Sequence, residues 1–110
     1  MIEQTISEIE AKIGAAGSVS PERRQELLQL LATLKTEVAE LSKTHEEQAD
    51  SIARFAQVST HEAMRTEQNP RLRELSLDGL RSSVEHLEKS HPHLTQIVNR
   101  ISQTLSDWGI

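Results

Sequence analysis

The sequence predicts an all-α protein, and two observations support this fold class. Aromatic residues are nearly absent, since the 110 residues include only Phe55 and Trp108, and leucine recurs among Glu, Gln, Arg and Lys. Such a composition favours helices over sheet. Apolar residues also recur at steps of three and four, which places them on one face of a helix. The predicted architecture is a long, coiled-coil-like antiparallel helical hairpin with a short N-terminal helix, assembling into an oligomeric helical bundle.

The first predicted helix covers residues 2–14. Its apolar stripe consists of Ile2, Ile6, Ile9 and Ile13. The run Gly14-Ala15-Ala16-Gly17 ends it, because glycine readily adopts the left-handed conformation at a helix C-terminus. Ser20-Pro21 then predicts an N-cap followed by proline at the first position of the next helix.

The second predicted helix is unusually long and covers residues 21–67. No glycine and no further proline interrupts it. Its seam positions are Leu27, Leu31, Leu34, Val38, Leu41, His45, Gln48, Ile52, Phe55, Ser59 and Glu62. Such a helix would be about 70 Å long, so it must pack against other helices.

A turn is predicted at residues 68–71, where Asn69-Pro70 is the clearest turn signal in the chain. A helix over 72–108 follows, kinked or broken near Pro92. The apolar spacing keeps its phase through Pro92, which favours a kink within one helix. The alternative is that Ser90 caps a new helix there. Together these elements form a single helical domain over residues 1–110.

The hairpin also predicts self-association. Near Asn69 the structure would contain only two helices, which cannot bury both apolar sides alone. We therefore expect a homo-oligomer, with a dimer as the first choice.

Three polar residues on the seams are the candidate site. His45, Gln48 and His91 are predicted to form one polar core layer in an otherwise aliphatic seam. Such a layer can fix helix register and oligomer state. The alternative is a pH-sensitive or ligand-binding element, because histidine titrates near neutrality. His86 and His93 are expected on an outer face, about 10 Å apart and too far to share one metal ion.

No catalytic, cofactor-binding or metal site is predicted. There is no cysteine, no Gly-rich phosphate loop, and no complete zinc-protease or di-iron motif. The formal charge of −5 argues against nucleic acid and anionic membranes as partners. The acidic N-terminus does not resemble a signal peptide, so a cytoplasmic protein is expected.

The stretch from Ile52 to Ile110 resembles a small bacterial all-helical family of unknown function. The resemblance rests on "ARFAQVSTHEA", "EQNPRL", "LDGLRSSVE" and the ending "SHPHLTQIVNRISQTLSDWGI". The ending fits the C-terminal signature SHPxLTxxxNRIxxxLxxxGI. This resemblance implies a small helical bacterial protein, and it implies no activity and no catalytic residues.

From these observations we expect a non-enzymatic helical interaction or adaptor protein, or a small regulatory protein. An unidentified protein partner is compatible with this expectation. The alternative is a metal- or small-ligand-binding bundle that uses His45, Gln48 and His91.

Overall fold

The computed structural model of the chain describes residues 2–17 and 19–108, and the regular structure of these residues is helical throughout. The predicted all-α fold class is therefore confirmed. The helices are α1 (Ile2–Gly14), α2 (Pro21–Ser42), α3 (Glu46–Ala63), α4 (Pro70–Val84) and α5 (Pro92–Trp108), with a short 3-10 turn at Glu85–Leu87. Gly109 and Ile110, which end the C-terminal signature, lie outside the described residues.

Helices α2 to α5 form an up-down-up-down bundle. At one end, the start of α2 at Ser20, the residue after α3 (Met64) and the end of α5 at Trp108 line one cavity. At the other end, His45 just before α3 and His91 just before α5 have ring centroids 5.8 Å apart. Each helix therefore reverses the direction of the one before it. The bundle measures 37 × 25 × 21 Å.

The prediction of one uninterrupted helix over 21–67 is wrong. The chain leaves the helix after Ser42, re-enters it at Glu46, and leaves it again after Ala63. Near the first break, Ser42 Oγ donates to the Ala39 carbonyl at 2.7 Å and Thr44 Oγ1 to the Leu41 carbonyl at 3.5 Å. Such side chains offer the backbone an alternative to the helical pattern. The reversal lets α3 bury its apolar face against α1 and α2 in the same molecule.

The prediction of a kink at Pro92 within one helix is also wrong. Helix α4 ends at Val84, and Pro92 is the first residue of α5. A proline at this position loses nothing, because the first helical N–H has no intrahelical acceptor. The helix predicted from residue 72 begins at Pro70, where Asn69 Oδ1 accepts a hydrogen bond from the Leu72 amide at 3.1 Å.

Helix α1 lies against both α2 and α3. Its four isoleucines, Ile2, Ile6, Ile9 and Ile13, are all buried. At the edge of α1, Glu10 forms a salt bridge with Lys35 of α2. The short isoleucine stripe therefore completes the core of the four-helix bundle.

Helix α3 contacts each of the other four helices, and much of its buried surface is made of small side chains. Its buried small residues are Ala49, Ala53, Ala56, Ser59, Thr60 and Ala63. The neighbouring helix α4 also offers small residues, and a Cβ added at Gly79 would lie 2.3 Å from Phe55 Cε1. Small side chains let helix backbones approach closely, so α3 can contact α1, α2, α4 and α5. No helix within the described residues has both the length and the apolar character needed to cross a membrane.

Candidate functional site

The two seam histidines meet at the end of the bundle where α3 and α5 begin. Their rings are 5.8 Å apart at an interplanar angle of 80°, an edge-to-face arrangement. Each Nδ1 lies within hydrogen-bond distance of the hydroxyl of the preceding residue: Thr44 Oγ1 at 2.8 Å from His45, and Ser90 Oγ at 2.9 Å from His91. Because each Nδ1 has a polar neighbour, the Nε2 atoms are the ring positions left for other partners.

This histidine pair is not the buried layer that the seam pattern predicted. His45, His91 and Gln48 are all half-exposed, because the chain breaks at both places where the seams were expected to continue. His45 and His91 therefore lie at helix starts rather than in mid-helix. Gln48 is one turn into α3 and lines a cleft with His86 on the outer side of α3 and α4. The three side chains are near one end of the bundle, but they do not form a polar layer enclosed by aliphatic side chains.

The remaining histidines are dispersed. His93 Nδ1 lies 3.3 Å from Glu37 Oε1 on α2, and His61 Nδ1 lies 3.0 Å from Lys12 Nζ on α1. Within residues 2–17 and 19–108 there is no group of three or more His, Cys, Asp or Glu side chains that could hold a metal ion.

The most distinctive surface of the molecule is on the outer side of α3 and α4. The large hydrophobic side chains that are exposed in the described part of the chain are Phe55 (39%), Val58 (46%), Leu72 (43%) and Leu75 (47%). We call these four residues the apolar ridge. All of them lie on α3 or α4, two antiparallel helices that approach closely where the Phe55 ring lies against Gly79. Val58 is one turn beyond Phe55 on α3, where it also lines a cavity with Ile9 and Lys12 of α1, and Leu75 is one turn before Gly79 on α4. Both lie on the side of the Phe55–Gly79 contact that is nearer the α3–α4 turn.

A shallow cleft continues the same surface in the other direction. Its floor includes the small residues Ser51, Gly79, Ser82 and Ser83, and the larger Glu47, Gln48, Phe55 and His86 complete its lining. We call this the small-residue cleft, and the ridge and cleft together the α3–α4 face. Large apolar side chains therefore protrude from one half of the face, and the other half is recessed.

The charges on this face are mostly neutralised within the chain. Arg54 Nε lies 2.7 Å from Asp50 Oδ2, Arg65 Nη1 lies 3.0 Å from Glu62 Oε1, and Arg81 Nη1 lies 3.6 Å from Asp78 Oδ1. Two exposed charges at opposite ends of the face make no ion pair within the described residues: Arg71 beside the ridge and Glu47 at the cleft.

Sequence patterns did not identify this face. Phe55 was assigned to the seam because it follows the three-four spacing, and it instead packs on Gly79 at the edge of the bundle. Leu72 and Leu75 precede the second seam by a few residues, and Val58 lies three residues after Phe55. The trace of this face in the sequence is a set of apolar residues beside the seams rather than on them. The helix packing decides which of these residues stay exposed.

Comparison with known protein families gives a match over most of the chain. A family model described as "Domain of unknown function (DUF4404)" matches residues 27–110. No curated protein and no solved structure matches the chain. The matched region contains α3, α4 and α5 and most of α2, and therefore the whole α3–α4 face, whereas α1 precedes it.

Proposed function

We propose a protein-interaction role for this chain, which belongs to the DUF4404 family, a domain family of unknown function. In this proposal the chain is a non-enzymatic helical adaptor or small regulatory protein. It acts by binding another polypeptide on the α3–α4 face.

The observation that carries this proposal is the location of the exposed hydrophobic side chains. The bundle already has a well-filled core, in which Leu27, Leu31, Leu34 and Leu105 are fully buried. Four large apolar side chains nevertheless remain exposed on the two neighbouring helices α3 and α4. Large apolar side chains exposed on neighbouring helices and flanked by charged residues are typical of a protein–protein contact surface.

Site-specific photo-crosslinking in cells of the source organism tests the proposal. A photoreactive amino acid replaces Leu75 on the face or, as the matched control, Gln29, which is exposed on α2 away from the face. We expect a covalent protein adduct from position 75 and little or none from position 29. Equal adduct formation at the two positions, or no adduct at position 75, would contradict the proposal. The mass of the adduct identifies whether the partner is another copy of the chain or a different protein.

A second candidate function is binding of a metal ion or small ligand by His45 and His91. The observation in its favour is the 5.8 Å separation of their rings. Two imidazoles can supply two ligands to a transition metal, and the remaining ligands would come from water or from the bound molecule. Gln48 is close enough along α3 to contribute a polar contact at the edge of the site.

Metal titration distinguishes this candidate from the first. Elemental analysis of the purified protein and thermal melting with Zn²⁺ or Ni²⁺ are compared for the wild type and for His45→Ala/His91→Ala. A stoichiometric metal content and a stabilisation that the double variant loses would favour the ligand-binding role. Equal response of the two proteins, or no response, would favour the interaction role.

A further inference from the structure

The end of the bundle opposite the histidine pair contains a cavity between the start of α2 and the ends of α3 and α5. Its volume is about 350 Å³, within the range of small-molecule sites. We propose that this cavity, which we call the end cavity, binds a small organic anion, namely a monocarboxylate with a short apolar body. The inference goes beyond the proposed interaction role, because it uses neither the apolar ridge nor the small-residue cleft.

The first observation is the charge of the cavity lining. Arg23 of α2 and Arg65, which follows α3, both line the end cavity, and no Asp or Glu is among the described residues that do so. The Arg23 side chain is exposed and makes no ion pair within the described residues. The chain as a whole carries a formal charge of −5, so the end cavity is a local positive region on an acidic protein.

Arg65 is held in position by a neighbouring carboxylate. Its Nη1 donates to Glu62 Oε1 at 3.0 Å, and Glu62 is 7% exposed. This contact uses one N–H of a guanidinium that has five, and arginine can offer two parallel N–H groups to a carboxylate. Because Glu62 offsets the charge of Arg65, Arg23 supplies the net positive charge of the site and Arg65 supplies oriented donors.

The start of α2 favours an anion in the same place. Ser20 lines the end cavity and caps α2, since its Oγ accepts from the Arg23 amide at 3.3 Å. The first N–H groups of a helix lack intrahelical acceptors, and they give its N-terminus a partial positive charge. This field adds to that of the two arginines.

The second observation is a buried donor without an acceptor on the residue that closes the cavity at α5. Trp108 lines the end cavity, and its indole Nε1 is buried with no hydrogen-bond partner among the described residues. An unpaired buried donor costs free energy, and a ligand oxygen would remove this cost. Because Nε1 is covered, a ligand oxygen reaches it only after a neighbouring side chain shifts. Binding should therefore alter the surroundings of the indole.

The remaining lining determines which anion fits. Val19, Ala63 and Met64 line the end cavity together with the Trp108 ring, so a large part of its wall is apolar. Small-molecule sites combine such walls with a few polar groups that fix the orientation of the ligand. A carboxylate on an apolar body satisfies both parts of the lining, whereas inorganic phosphate satisfies only the cationic part.

Tryptophan fluorescence tests the inference, because Trp108 is the only tryptophan and the chain has no tyrosine. The probe is sodium hexanoate, with hexanamide as its uncharged counterpart and inorganic phosphate as an anion without an apolar body. We expect a saturable change with hexanoate and a Kd on the order of 1 mM, as for other ligands this small. Hexanamide and phosphate should bind at least about tenfold more weakly.

Two variants and a matched control locate the binding site. Arg23→Gln removes an exposed, unpaired cation and should weaken hexanoate binding by about tenfold. Arg100→Gln is the control, because Arg100 is also exposed but lies in a different cleft of α5, and it should bind like the wild type. Trp108→Phe removes the N–H and should weaken binding by about fivefold, measured by ligand-observed NMR, which does not need the indole.

Several results would overturn the inference. These are the absence of saturable binding, equal affinity for hexanoate and hexanamide, or an Arg23→Gln chain that binds hexanoate as tightly as the wild type does. Phosphate that binds as tightly as hexanoate would overturn the organic carboxylate as the ligand class. None of these results bears on photo-crosslinking at position 75, so this inference and the proposed interaction role can fail separately.

Discussion

Ser59 on α3 and Ser102 on α5 are both fully buried, and they differ in the hydrogen bonding of their hydroxyls. Ser102 Oγ donates to the Val98 carbonyl at 3.0 Å. Ser59 Oγ has no hydrogen-bond partner among the described residues. A buried polar group without a partner costs free energy, whereas a bonded hydroxyl contributes about 1 kcal/mol to stability.

We therefore expect substitutions of opposite sign at these two serines. Ser59→Ala should stabilise the fold by about 1 kcal/mol, and Ser102→Ala should destabilise it by about 0.5–1.5 kcal/mol. Chemical denaturation of both variants, analysed with a common m-value, measures the difference. A loss of stability in Ser59→Ala as large as that in Ser102→Ala would contradict the expectation.

Gly79 and Phe55 should be coupled energetically, because the glycine leaves room for the ring. A Cβ at position 79 would lie 2.3 Å from Phe55 Cε1 and 2.6 Å from Cδ1, so the ring would have to move. In a Phe55→Ala background the same Gly79→Ala change should instead stabilise α4 by about 1 kcal/mol, the helix propensity of alanine over glycine.

A double-mutant cycle on the free energy of unfolding measures this coupling. We expect Gly79→Ala to be less favourable in the wild type than in the Phe55→Ala background by about 1 kcal/mol or more. Additive effects of the two substitutions would show that the ring does not need the space at position 79.

The helices themselves differ in how well sequence patterns predict them. The isoleucine stripe before Gly14 and the Ser20-Pro21 cap are strong local signals, and Ser20 Oγ does accept from the Arg23 amide at 3.3 Å. The break at Lys43–His45 has no glycine or proline, and the three-four spacing passes through it unchanged. Its cause is long-range: the α1, α2 and α4 surfaces that bury α3 exist only after the chain has reversed. The position of Pro92 was recognised, but its role as a helix start depends on the same packing.

The candidate site was likewise predicted only as far as local sequence patterns reach, because the rest of it depends on contacts between distant segments. The seam spacing drew attention to His45 and His91, and the structure brings their rings together at helix starts instead of in a buried layer. The α3–α4 face was not predicted, because its ridge residues are separated by up to 20 positions in the chain. Neither periodicity nor composition indicates which apolar residues a bundle leaves outside.

Helix α1 precedes the region that the family model matches, and yet it should contribute substantially to stability. Ile6 and Ile13 are fully buried against α2 and α3. Ile6→Ala should therefore cost about 2–5 kcal/mol, the usual effect of truncating a buried isoleucine. The exposed neighbour Gln4 provides the control, since Gln4→Ala should change stability by no more than about 0.5 kcal/mol. Denaturation midpoints distinguish this from a loosely attached α1, for which the two substitutions would have similar effects.

The shape of the whole molecule leads to a final prediction about how two copies associate. The Cα radius of gyration of one chain is 13.0 Å, and its shortest and longest extents are 21 and 37 Å. The α3–α4 face runs along the length of the bundle, so a dimer on this face places the two centres about 21–25 Å apart, across one of the two shorter dimensions. Its radius of gyration should then be about 17–18 Å, whereas an end-to-end dimer should give about 23 Å.

Small-angle X-ray scattering over a range of protein concentrations separates these arrangements. Leu75→Glu provides the monomer reference, which should scatter with a radius close to that of one chain, after allowance for hydration. A wild-type dimer near the smaller of the two values is expected, because only side-by-side contact covers the apolar ridge. A value near the larger would place the contact at the helix ends, where His45 and His91 lie. The end with this histidine pair, rather than the α3–α4 face, would then be the self-association surface.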